Sequence, residues 1–198
     1  MHNVNKFVVL AVLWLSAMLA AHTSVAQVRL VKVDPLADEV SIKNFGTSMV
    51  NISGYYFCSQ FSYNALSSFS IQSGSLMLAA GDEVVLQNVL LNDLAADLGL
   101  YISPSDFAAT TNMADFTQWG GGGQGRESVA VAKGIWTAGD FLSGPAPYTY
   151  TGDGSQNGLS FWETAFVAPD AVYEAILSGN QERTPVLTSA KGMVTAEL

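Results

Sequence analysis

Histidine and cysteine are nearly absent from this chain. Its two histidines, His2 and His22, fall within the first 26 residues, and Cys58 is the single cysteine. Without an imidazole, neither a Ser-His-Asp triad nor a Cys-His pair can form in the rest of the chain. Zinc and most other transition metals lose their preferred ligands for the same reason. Ser-Lys, paired-carboxylate and calcium chemistry remain open.

Basic residues are also scarce. The chain has 8 Lys and Arg against 17 Asp and Glu, which gives a formal net charge of −9. An acidic surface repels a phosphate backbone, so we expect no nucleic-acid partner. Net charge of this size favours a soluble protein that is kept from self-association.

The N-terminus has the three-part pattern of a secretory signal peptide. Lys6 precedes an apolar run over residues 7–21, which is shorter than the about 20 residues that a transmembrane helix needs. Small residues, Ser24 and Ala26, follow at the −3 and −1 positions before Gln27. We therefore expect cleavage after Ala26, a secreted or periplasmic protein, and no stable membrane span after cleavage.

Short segments with a period of two dominate the chain from Val28 onward. Apolar and polar residues alternate between turns rich in Gly, Pro, Asn and Asp, as in half-buried antiparallel strands. We predict strands at 28–33, 40–45, 55–57, 61–63, 69–71, 84–86, 98–102 and 114–119. Leu90 to Leu98 has the spacing of a short helical turn with Asn92 as its cap.

Several of these segments together resemble the lamin tail domain family. They read D-E-V-x-I-x-N-x-G, then N-I-S-G before an aromatic residue, L-x-L-A-A-G-D-E-V-V-L, A-A-D-L-G-L-Y, and A-D-F-T-Q-W-G, followed by the turns up to Trp162. The resemblance implies an all-β, immunoglobulin-like β-sandwich over residues 27–162. The Gly-rich loop and the lack of a coiled-coil rod differ from the vertebrate lamins, so no functional residue is carried over.

The character of the sequence changes after Trp162. We interpret residues 163–198 as a C-terminal extension, with one helix starting near Ala168 and running through Leu177.

The Gly-rich segment Gly120–Gly125 invites comparison with a phosphate-binding loop. Arg126 stands in place of the lysine, and Glu127 in place of the metal-binding hydroxyl. We expect no amphipathic helix after the segment, so no helix N-terminus would face a phosphate. The favoured interpretation is a flexible loop between two strands.

The segment Asp153–Gly158 matches the first half of a calcium loop, with oxygen donors at alternate positions. Thr164 stands where the bidentate Glu belongs. A hairpin turn of Gly, Asp and Asn explains the same residues without a metal, and we favour it.

Other candidates have simpler structural interpretations. The pairs Asp38–Glu39 and Asp82–Glu83 are neighbours along a strand and point to opposite faces. Ser128 and Lys133 form a conceivable dyad that nothing else supports. Trp119, Trp136 and Trp162 could form a platform for sugars or a peptide, but core packing is favoured. Cys58 is expected to be a buried thiol.

We therefore expect an exported, non-catalytic binding or structural module of the cell envelope or exterior. Its partner would be a protein or a cell-surface polymer. No catalytic, cofactor-binding or metal-binding residue is predicted. The alternative is a carboxylate-based hydrolase, with or without calcium, that acts on an extracellular polymer. Such an enzyme needs a concave site where carboxylates from different strands converge.

The predicted cleavage site gives a direct test. Edman sequencing of the exported protein is expected to begin at Gln27, because Ser24 and Ala26 satisfy the small-residue requirement. Recovery of an intact Met1 form from membranes would contradict the prediction.

Overall fold

The computed structural model describes residues 28–165 and shows an all-β chain with a single α-helix in that range. The strands are β1 (Val28–Asp34), β2 (Glu39–Asn44), β3 (Val50–Asn51), β4 (Tyr56–Ser59), β5 (Ser62–Ala65), β6 (Ser70–Ser73), β7 (Met77–Leu78), β8 (Glu83–Gln87), β9 (Ala96–Tyr101), β10 (Met113–Trp119), β11 (Tyr148–Tyr150) and β12 (Trp162–Glu163). The helix is α1 (Glu127–Lys133). Three 3-10 turns occupy Pro35–Ala37, Leu66–Ser68 and Leu159–Phe161.

Two main antiparallel sheets share one apolar core. The larger has the order β12-β11-β1-β2-β8-β6 and the smaller has the order β10-β9-β4-β5, while β3 and β7 form a separate pair. Leu30 and Ile42 from the larger sheet, and Leu98 and Leu100 from the smaller, are fully buried in that core. The expectation of an all-β, sandwich-like fold is confirmed.

The register of β1 explains why its apolar residues reach the core together. Strict alternation would place Val33 on the face opposite to Leu30. The register shifts between Leu30 and Lys32, so Leu30 lies opposite Ile42 while Val33 lies opposite Val40. This bulge brings both apolar side chains to one face.

A buried ion pair joins the two sheets. Nε of Arg29 in β1 lies 2.9 Å from Oδ2 of Asp115 in β10, and the two side chains are 5% and 1% exposed. The same Asp115 oxygen accepts a hydrogen bond from the backbone N–H of Leu30 at 2.9 Å. Burial raises the pKa of Asp115, and the guanidinium of Arg29 opposes that shift. The pair satisfies part of the β1 backbone and connects β1 to β10.

The predicted helical turn over Leu90–Leu98 is wrong. The Asn92 side chain accepts hydrogen bonds from the backbone N–H groups of Leu94 at 2.9 Å and Ala95 at 3.3 Å. This local turn competes with helical bonding, and β9 begins directly after it at Ala96.

The end of the described chain also differs from expectation. The alternation of Leu159 and Phe161 with Ser160 predicts a strand that carries these residues and Trp162. Instead the N–H of Phe161 bonds to the carbonyl of Gly158 at 3.2 Å and closes a 3-10 turn. Strand β12 therefore begins at Trp162, where it pairs with Tyr150 of β11.

Some expectations fall outside the described residues. These are the signal peptide with its cleavage between Ala26 and Gln27, and the helix near 168–177. Within residues 28–165, no helix has the length and apolar character needed to cross a membrane.

The ion pair between the sheets predicts a large and specific loss of stability. Asp115→Ala is expected to lower the free energy of unfolding by about 3–5 kcal/mol, because the guanidinium of Arg29 is left buried without its counter-charge. Urea denaturation of the two proteins measures this difference.

The matched control is Glu39→Ala. Glu39 pairs with Lys32 at 2.8 Å, but the Lys32 side chain is 35% exposed. The Glu39 side chain is 15% exposed, so the pair is partly solvated and its loss is expected to cost about 1 kcal/mol. Equal losses for the two variants would contradict the structural role assigned to Asp115.

Candidate functional site

Two edge strands of the sandwich are built without charged residues. No Asp, Glu, Lys or Arg occurs between Lys43 and Asp82. This span supplies β3 to β7, which include β5 at the edge of the smaller sheet and β6 at the edge of the larger. The edge strands β5 and β6 therefore carry no charged side chain of their own. The guanidinium of Arg126, from outside this span, lies over the rings of Phe61 and Tyr63.

The face of β4 and β5 that looks toward the other sheet is polar at its edge. Asn64 lies opposite Phe57, and Ser62 lies opposite Ser59. Directly opposite residues share a face, and so do residues two apart along a strand. Since Phe57 is buried in the core, Ser59, Ser62 and Asn64 also lie on the inward side. These small polar residues stand where a closed sandwich would place apolar ones.

The two sheets are therefore open on this side, and a cleft of about 380 Å³ lies there. Its lining residues are Phe57, Ser59, Ser62, Asn64, Ser68, Phe69, Asn88, Val89, Leu90, Leu91 and Leu98. None of them is charged. The rings of Phe57 and Phe69 lie 5.6 Å apart between centroids. Phe57 is 2% exposed, so the partly exposed ring of Phe69 is the aromatic surface beside the hydroxyl and amide groups.

The segment Asn88–Leu91 forms one wall of the cleft and is fixed by Asp38. The carbonyl of Asp38 accepts a hydrogen bond from the N–H of Val89 at 3.0 Å, and its carboxylate accepts one from Leu91 at 3.1 Å. The Asn88 side chain donates to Ser70 Oγ at 3.1 Å. Leu90, held between these contacts, is 84% exposed at the cleft.

The carboxylate pairs serve the fold. Asp38 fixes the cleft wall, while Glu39 pairs with Lys32. Asp82 accepts a hydrogen bond from the N–H of Ala79 at 3.1 Å. Glu83 is an exposed strand residue. In the part of the chain that the structure describes, no group of three or more His, Cys, Asp or Glu side chains is placed to hold a metal ion.

The expectation that no helix follows the Gly-rich loop is wrong. Helix α1 begins at Glu127, buries Val129 and Ala130, and ends at Gly134, whose left-handed backbone closes it. A buried apolar pair and a glycine stop are enough for this short element, although propensity alone would not stabilise it.

The loop itself is held by the protein's own side chains. The N–H of Gln124 donates to Gln118 Oε1 at 3.2 Å, and the N–H of Arg126 donates to Asp97 Oδ2 at 2.9 Å. Glu127 accepts a hydrogen bond from the N–H of Gly139 at 2.7 Å. The backbone donors that a phosphate loop would present are engaged internally at these positions.

Ser128 and Lys133 do not form a dyad. Five residues apart on a helix, they do not share a face. Ser128 is exposed, and Nζ of Lys133 donates to the carbonyl of Thr110 at 3.1 Å.

The calcium-like segment Asp153–Gly158 is organised around a guanidinium. Arg29 donates from Nη1 to the carbonyl of Gly154 at 3.1 Å and to that of Gln156 at 2.8 Å. The Asp153 carboxylate accepts from the N–H and the hydroxyl of Ser155 at 2.9 and 2.7 Å. These hydrogen bonds explain the Asp, Ser and Gly of the loop as a turn anchored by Arg29.

The three tryptophans near strand ends are buried, so the core interpretation is confirmed for Trp119, Trp136 and Trp162. The indole N–H of Trp119 donates to the backbone carbonyl of Asn92 at 2.8 Å. The indole N–H of Trp136 donates to the backbone carbonyl of Asp140 at 2.8 Å. They therefore offer no exposed aromatic platform.

Cys58 lies on the opposite face of β4 from the cleft and is fully buried, as expected. Burial, reinforced by the nearby carboxylate of Asp97, raises the pKa of its thiol to about 11. The aromatic rings of Tyr63 and Tyr101 pack around Phe107 on this face.

The residues of the cleft were missed by the alternation pattern. That pattern grouped Phe61 and Tyr63 as the apolar face of a strand, but Phe61 lies in the hairpin turn with φ +63° and is 57% exposed. Tyr63 faces away from the cleft, toward Phe107. The signal that could have located the cleft is the uncharged span between Lys43 and Asp82.

Comparison of the chain with protein-family models, with curated proteins and with solved structures finds no match.

The environment of Cys58 predicts very slow thiol chemistry. In the folded protein at pH 8, labelling by a disulfide reagent is expected to be at least about a hundredfold slower than in denaturant. A pKa of about 11 depletes the reactive thiolate, and the burial of Cys58 blocks access of the reagent.

A Cys58→Ala, Ser128→Cys double variant provides the control, because Ser128 is exposed on α1. Its thiol should react at nearly the same rate folded and unfolded. Rapid labelling of Cys58 in the native wild-type protein would show that the strand opens readily.

Proposed function

We propose that this protein is an exported, non-catalytic binding module of the cell envelope or exterior, with a lamin-tail-like, immunoglobulin-like sandwich. Its binding site is the uncharged cleft beside β5 and β6. The observation that carries this proposal is the set of neutral polar side chains at inward-facing positions of an open sandwich edge. Ligand sites combine apolar walls with a few convergent polar groups, as this cleft does.

The charge distribution supports the same proposal. The formal net charge of −9 keeps the protein soluble and disfavours acidic partners. No charged side chain lines the cleft, and the Asp38 carboxylate behind its wall is engaged by the N–H of Leu91. An electrically neutral surface is therefore the best match for a partner.

The carboxylate-hydrolase alternative receives less support. It requires carboxylates that converge on one concave surface, and none of the residues that line the cleft is acidic. The two most buried carboxylates are engaged elsewhere: Asp115 pairs with Arg29, and Asp97 accepts from the N–H groups of Gln60 and Arg126.

A charge placed in the cleft tests the proposal. We expect Ser62→Glu to reduce retention of the labelled mature protein on the envelope fraction of the producing cells by about tenfold or more. The reason is that a bound partner would bury the new carboxylate without a counter-charge. Retention is measured by co-sedimentation over a range of protein concentrations.

The matched control is Ser128→Glu, which adds the same charge at an exposed serine outside the cleft. It should leave retention unchanged. If both variants are retained as well as the wild type, the cleft is not the binding site. If the wild-type protein itself is not retained, the proposed function fails.

A further inference from the structure

We propose that the cleft binds a neutral carbohydrate chain, an inference that rests on the proposed binding function. The cleft combines hydroxyl and amide side chains with the partly exposed ring of Phe69, and it has no ionisable group. Phe57 lies beneath that ring and is 2% exposed. A sugar presents matching groups, with hydroxyl groups at its edges and C–H groups on its faces.

The polar groups are suited to hydroxyl ligands. Serine hydroxyls and asparagine amides each both donate and accept hydrogen bonds, as sugar hydroxyls do. Asn88 donates to Ser70, which leaves its amide oxygen as an acceptor. Ser68 donates to the carbonyl of Ala65 at 2.6 Å, which leaves its oxygen as an acceptor. These two bonds fix two acceptor oxygens. Ser62 Oγ accepts from Nδ2 of Asn64 at 3.4 Å, which leaves the hydroxyl hydrogen of Ser62 as a donor.

Size and access fit one or two sugar units of a longer chain. The volume of about 380 Å³ lies within the range of about 300–1,000 Å³ for small-ligand sites. The side chains of Ser62, Asn64 and Ser68 are exposed, so the polar lining is reached from solvent. Phe69 is half-buried against Phe57 and presents part of its ring to the cleft.

The absence of charge in the lining selects the class of carbohydrate. Acidic polysaccharides are recognised through Arg and Lys, and neither residue type lines the cleft. The net negative charge of the protein adds repulsion against a uronic-acid or sulfated chain. A neutral glycan avoids both penalties.

An extended peptide is the main competitor, and the edge strands fit it less well. Addition of a peptide strand needs a regular run of open backbone groups along a sheet edge. The register of β6 shifts between Ile71 and Ser73, and β5 has only the residues Ser62–Ala65. A shifted and a short edge both limit strand pairing, whereas side-chain recognition of a sugar does not depend on them.

The first experiment separates carbohydrate from protein partners. The envelope fraction is treated either with periodate, which cleaves the vicinal diols of sugars, or with protease, before co-sedimentation with the wild-type protein. We expect periodate to abolish retention and protease to leave it. Retention that survives periodate but is lost after protease would leave the binding function standing and overturn the carbohydrate inference.

The second experiment uses defined ligands. The 15N-labelled mature protein is titrated with hexamers of cellulose, xylan, mannan and amylose, whose 1,4-linked units each carry a vicinal diol, and with an alginate hexamer as the acidic comparison. We expect saturable shifts from at least one neutral hexamer, at the amide signals of residues 57–64 and 88–91, and none from alginate. Failure of every neutral hexamer to bind, or binding of alginate alone, would overturn the inference.

A variant pair then places the ligand. Asn64→Ala should raise the Kd for the neutral hexamer by about three- to tenfold, which is the effect expected for loss of one hydrogen bond. Asn157→Ala removes an equally exposed amide that does not line the cleft and should leave the Kd unchanged. Equal affinities for the two variants would show that the sugar binds elsewhere.

Discussion

The ion pair between Arg29 and Asp115 is the interaction on which the sandwich depends most. It joins β1 of the larger sheet to β10 of the smaller, and both partners are buried. Arg29 also holds the carbonyls of Gly154 and Gln156, so the turn before β12 is tied to the same point. Because a buried charge without its partner is costly, these elements can form only together.

The position of this pair explains why the opposite side can be open. In the smaller sheet β10 and β5 are the two edges, and Asp115 lies on β10. The sheets are therefore joined along the β10 side by a charged contact and by the apolar core. No such ion pair joins the two sheets on the β5 side within the described residues. Ser59, Ser62 and Asn64 lie there at little cost in free energy because they stay hydrated.

The sequence alone predicts the strands of four or more residues but neither the shorter strands nor the site. Alternation located β1, β2, β9 and β10 because their apolar residues, such as Leu30 and Ile42, face one shared core. It failed at Phe61, because a left-handed turn residue does not follow strand alternation. It missed α1 because a helix of seven residues depends on burial of Val129 and Ala130 rather than on its own pattern. The cleft was not predicted because the sequence does not distinguish inward-facing from outward-facing serines until the strand register is known.

The missing charges on the open side are informative because edge strands usually need them. Proteins protect exposed edges with lysine, proline, bulges or short strands. Here β6 carries a register shift and β5 is short, so geometry alone limits unwanted pairing. A lysine at Ser62 or Asn64 would protect the edge as well, but it would place a hydrated ammonium group inside the cleft. Protection by shape rather than by charge leaves the cleft neutral, which is the condition that a neutral ligand requires.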